Sequence, residues 1–165
     1  MKSVVLLQTF INSLKLPNKQ AMFKLNRVGM DVTVIYLFIL ILLISVPSLT
    51  SQLTTDDSAG AVISFPVFLI YFFIFSYLPL TIAVFLYISL LAYAGTGIAK
   101  LLNRKIRFSI LWKLNAYTAT IPFMLYPIAA FFFPITDVFL VLFILYSFLF
   151  MLKMITVYPR RKKRK

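Results

Sequence analysis

The sequence predicts an all-α integral membrane protein: a bundle of four transmembrane helices preceded by an amphipathic N-terminal helix. Three observations carry that expectation. The 165-residue chain is 62% hydrophobic with a mean hydropathy of +0.97, well above ordinary globular domains. Its apolar residues gather in runs long enough to cross a bilayer. All 17 Lys and Arg residues fall in three clusters, residues 2–27, 100–113 and 153–165, which those runs separate. Such segregation is the positive-inside pattern of a multi-pass membrane protein.

A chain of this length is one domain. Three parts are expected: a basic lead-in over residues 1–31, a membrane domain over 32–157 and a basic tail over 158–165. The short apolar stretch after Lys2 is interrupted by Gln8 and lacks a small-residue cleavage site, so no removed signal peptide is expected. Residues 3–16 place Val4, Leu7, Ile11 and Leu14 on one helical stripe. Pro17 and Asn18 end that helix, and Lys19, Lys24 and Arg27 follow. This pattern fits a helix lying in the headgroup plane; it equally fits a plain cytoplasmic lead-in.

The first span is expected over residues 32–49, close to the ~20 apolar residues that a bilayer requires. Pro47 is expected to bend or end it. Residues 51–60 then read as a polar loop holding Asp56 and Asp57. The apolar run over residues 61–99 exceeds one crossing. Two crossings would put Lys100, Arg104, Lys105 and Arg107 opposite the N-terminal cluster, against the positive-inside bias. One crossing keeps the clusters together, so the second span is placed at residues 78–99. Residues 61–77 become an outer interfacial or re-entrant segment, and a break is expected near Ser76–Pro79.

The third span is expected over residues 114–133 and the fourth over 138–157, joined by a tight turn at Pro134–Asp137. Trp112 and Tyr158 sit where aromatic side chains anchor at the headgroup level. Both termini are then cytoplasmic. The tail Arg160, Arg161, Lys162, Lys163, Arg164 and Lys165 fits contact with anionic lipid, at ~1 kcal/mol per residue near a charged surface. The net charge of +13 is therefore assigned to a bilayer with anionic headgroups, and no nucleic-acid partner is expected.

Chemistry is sparse. With no Cys and no His, thiol nucleophiles, imidazole bases and the common zinc sites are excluded. No cofactor, metal or catalytic residue is expected, and the chain is not expected to be an enzyme. Asp31 opens the first span, where a carboxylate complements a helix N-terminus. Asp56 and Asp57 are adjacent and share no face of a regular element. The most polar stretch inside a span holds Asn115, Thr118, Thr120 and Pro122, which suits either interhelical hydrogen bonds or a polar pocket. Gly95 and Gly97 supply small surfaces for close helix contact. A Gly-x-Gly pair without a following Lys-Ser/Thr is no phosphate loop.

Three segments carry a resemblance: residues 9–14 with Pro17, residues 89–95, and above all residues 107–122, with a Trp, then Tyr-Ala-like and Thr-x-Pro elements in order. The layout resembles a family of small multi-pass membrane proteins from low-GC Gram-positive bacteria, some labelled maltodextrin-utilisation proteins. More remotely it resembles Yip-type membrane domains of membrane organisation and trafficking. The chain departs from the family pattern in the short region between its first two spans. The resemblance implies a bacterial plasma-membrane protein and supplies no catalytic residues. The small-residue and Asn/Thr contact surfaces, without a chemical constellation, point to a non-enzymatic protein that assembles with or modulates another membrane complex, with a sugar transporter as the candidate. A small homo-oligomeric transporter, pore or holin-like protein is the alternative; partner proteins are another membrane protein or further copies of the chain.

Overall fold

The computed structural model describes residues 2–54, 64–132 and 137–159. Every regular element among them is helical. In chain order these are α1 (Lys2–Leu14), α2 (Lys19–Arg27), α3 (Met30–Thr54), α4 (Phe65–Phe72), a π-helical turn (Phe73–Tyr77), α5 (Leu78–Leu101), α6 (Phe108–Thr118), α7 (Thr120–Phe132) and α8 (Asp137–Val157). Three helical stretches are long and apolar enough to cross a membrane: Met30–Thr54, Phe65–Leu101 and Val138–Val157.

The sequence periodicity of α1 is realised in an inverted sense. Thr9 and Ser13 are its buried positions, while Val4, Leu7, Ile11 and Leu14 stay exposed. The two hydroxyls tolerate burial because each donates to a carbonyl one turn back, Thr9 to Val5 and Ser13 to Thr9, both at 2.7 Å. The apolar stripe faces outward, as a helix in contact with lipid requires. Asn18 then caps α2, its side chain accepting from the Gln20 N–H at 3.1 Å and satisfying one of the free donors of the first turn.

α3 runs through Pro47 to Thr54, past the expected end near residue 49. Residues 51–54 are therefore helix rather than loop. Thr50, Ser51 and Thr54 return their hydroxyls to the Pro47, Ser48 and Thr50 carbonyls, which gives carbonyls near the helix end side-chain partners. Asp56 and Asp57 lie outside the described residues. At the other end Asp31 is in the first helical turn and exposed. Its carboxylate occupies the space beside Gly29, where an added Cβ would stand 2.2 Å from one oxygen.

The expected break near Ser76–Pro79 is also absent. Residues 65–101 form one unbroken helical stretch of 37 residues, about 55 Å at ~1.5 Å per residue. Pro79 would collide with the carbonyl four residues earlier in a regular α-helix. The chain passes it by widening a turn, and the Leu78 N–H bonds to the Phe73 carbonyl five residues back. Without a reversal, this run can carry the chain across a bilayer at most once. α5 ends at Asn103, whose positive φ of 52° is a conformation Asn tolerates, with Arg104 N–H closing on the Ala99 carbonyl at 2.8 Å.

The stretch expected as a third span is two helices, α6 and α7, meeting at Ala119. Pro122 is the cause: its ring excludes the Thr118 carbonyl and it has no N–H to offer. α7 packs along α3 and α6 along α5. The core spans these four helices together with the C-terminal half of α8, whose Met151, Met154 and Ile155 are fully buried.

Candidate functional site

Among the described residues, segments of the three basic clusters, remote in sequence, meet at one end of the bundle. The Lys113 ammonium donates to the Asn26 carbonyl at 2.6 Å and the Val28 carbonyl at 2.9 Å. These are end-of-helix acceptors of α2, so a cation there complements the helix dipole as well. Burial pulls the Lys113 ammonium below the ordinary lysine value. The Arg104 guanidinium donates to the Tyr158 carbonyl, and the Lys105 N–H reaches the Pro159 carbonyl at 3.4 Å. Tyr158 in turn packs its ring on Phe23 of α2 with centroids 5.5 Å apart.

Trp112 and Tyr158, expected as anchors at the headgroup level, are packed inside the chain, both at 5% exposure. The Trp112 indole N–H donates to the Ser89 hydroxyl at 3.0 Å, and its ring meets Phe85 of α5. Indole burial with a satisfied N–H is the ordinary core solution. Tyr158 closes the seam between α2 and the end of α8. The residues 160–165, assigned to anionic lipid, lie outside the described residues.

Just inside this end is a buried hydroxyl cluster centred on the α6–α7 junction. Thr33 and Tyr117 are joined at 2.6 Å, and Tyr36 and Thr120 at 2.8 Å. Proton counting orients both pairs. Thr33 gives its single proton to the Gly29 carbonyl and Thr120 gives its own to the Tyr117 carbonyl. The phenols of Tyr117 and Tyr36 are therefore the donors. The two rings pack at 5.6 Å. α3 is thus tied to the kink on both sides of Ala119.

The sequence-predicted polar residues do not form one pocket. Thr118 is buried and donates to the Leu114 carbonyl at 2.9 Å; Thr120 belongs to the cluster above; Pro122 makes the kink. Asn115 is 3% exposed, and neither amide atom has a hydrogen-bond partner. The glycines separate too. A Cβ on Gly95 would stand 2.7 Å from the Met151 sulfur and 3.3 Å from Leu111, whereas Gly97 has nothing within 4 Å. Gly95 is an internal contact and Gly97 opens outward.

The opposite end of the bundle holds what the sequence did not suggest, a cavity of about 530 Å³ between α3, α4, the π turn, α5, α7 and α8. Its floor is Phe123 and Phe143, ring centroids 5.4 Å apart. Ser45, Ser48, Ser76 and Tyr87 are among its lining, and no lining residue is charged. The Gln52 amide donates to Ser48 at 3.2 Å and Ser76 at 3.4 Å. The wide turn over residues 73–77, a distortion frequent at functional sites, is part of the wall. No set of three metal-binding side chains occurs among the described residues.

No protein-family model, curated protein or solved structure matches this chain. Its function is therefore argued from these residues.

Proposed function

We propose that the protein is a non-enzymatic, multi-pass membrane subunit that assembles with another membrane protein or with further copies of itself. In this reading it sits in a bacterial plasma membrane with its basic end and both termini in the cytoplasm, facing anionic lipid. The observation that carries it is the outward face of α5. Leu86, Leu90, Tyr93 and Leu101 are exposed there around the open Gly97. Large side chains flanking a small one suit close approach of a second helix within lipid. The chemistry agrees: Asp31 is the only carboxylate among the described side chains, and it is exposed on a helix end. Sugar uptake is the proposed setting, on the resemblance of residues 107–122 alone.

Crosslinking in membranes tests the proposal. Gly97→Leu is expected to abolish a crosslinked species that wild type forms, at unchanged thermal stability. A chain that stays monomeric in mild detergent and in membranes, wild type and variant alike, overturns it.

A second reading, a small oligomeric pore, draws on one observation, the unpartnered amide of Asn115. It requires water beside Asn115, Thr118 and Thr120, all buried within the chain. Thiol reagents reaching single cysteines at those three positions would favour it over the subunit reading.

A further inference from the structure

We infer that the cavity is a binding site for the hydrocarbon chain of an uncharged, hydroxyl- or carbonyl-bearing lipid, such as a monoacylglycerol or diacylglycerol. Four observations converge on that ligand class. The volume of about 530 Å³ lies within the range of small-molecule sites. The lining is mostly apolar with a few hydroxyls and no charge. A charged headgroup brought there would have no counter-ion, and desolvating it without one is prohibitive.

The polar groups are not scattered. Ser48 and Ser76 are joined through Gln52 near the end of α3, while Phe123 and Phe143 close the deep side. An amphiphile would lay its chain on the phenyl floor and its neutral polar end against the serines.

Access also fits lipid. Ala83 on α5 and Leu140 and Ile144 on α8 belong to the lining and are exposed on the outside of the bundle. The cavity therefore opens sideways between α5 and α8. Anionic lipids are drawn to the opposite, basic end, so the two ends would select different headgroups.

The test uses the full chain in phosphatidylcholine nanodiscs with a diazirine-tagged monoacylglycerol. Photolabel is expected on peptides carrying Ser76, Ala83 or Phe143. Excess unlabelled monoolein should remove it, and phosphatidylglycerol should not. Ala83→Trp, which fills the mouth, and Ser76→Leu, which removes a hydroxyl without adding a ring, should each lower labelling about tenfold, a loss of ~1.4 kcal/mol. Ile39→Trp, at an exposed position of α3 outside the lining, should leave it unchanged. Label spread along the outward faces of α3 and α8, equal competition by phosphatidylglycerol, or full labelling of both cavity variants overturns the inference.

Discussion

The two ends of this bundle solve opposite problems. At the basic end side-chain hydrogen bonds fasten α2, α3 and the end of α8 to their neighbours. Lys113 holds α2, Tyr117 and Tyr36 hold α3, and Arg104 holds the end of α8. At the far end α8 presents exposed Val138, Leu140, Val141, Leu142, Ile144 and Leu145, and a cavity takes the place of a core. Lipid tails are as apolar as Leu, so apolar burial alone does not drive helices together within a membrane. Polar ties and tight packing do, and they are concentrated where the charges are. The packed end fixes the architecture and leaves the open end free to accept a ligand.

The largest effect should come from removing a ring at each end. Tyr117→Ala deletes a fully buried side chain and should cost about 3–5 kcal/mol. Tyr126→Ala, at the cavity wall, should cost about 1 kcal/mol or less. Thermal unfolding in one detergent compares them, and equal losses would erase the distinction between the ends. Next, Lys113→Met removes two hydrogen bonds from a charged donor and should cost about 2–3 kcal/mol. Because those bonds hold α2, limited proteolysis between residues 15 and 29 should quicken in parallel.

The glycines give a smaller and sharper contrast. Gly95→Leu overpacks against Met151 and Leu111 and should cost about 1–3 kcal/mol. Gly97→Leu, with open space around it, should change monomer stability by no more than ~0.5 kcal/mol. Thr33→Val, which strips the Tyr117 phenol of its acceptor, falls between them at about 1 kcal/mol. Unfolding midpoints of purified protein read all three.

Much of the helical content was legible because apolar runs and prolines are local signals. The effect of each proline was not. Pro122 breaks its helix at Ala119, Pro47 is carried within α3, and Pro79 is passed by a widened turn. Which outcome occurs depends on how the neighbouring helices pack around each ring, and that is not a local signal. The charge clusters correctly grouped residues that the fold brings together. The inward turn of Trp112 needed Ser89 on another helix, a partner no periodicity reveals. Thr33 and Tyr36 carried a weak signal, two hydroxyl-bearing side chains three residues apart inside an apolar run. The cavity had none, since it is a space between six elements and belongs to no segment.

The central claim is that the basic end forms one face of the protein and lies on one side of the membrane. The chain has no cysteine, so single-cysteine variants label without background. Lys105→Cys and Lys163→Cys should react with a membrane-impermeant maleimide only after the cells are opened, and Asp57→Cys and Thr136→Cys should react on intact cells. Labelling of Lys105→Cys on intact cells would contradict the account.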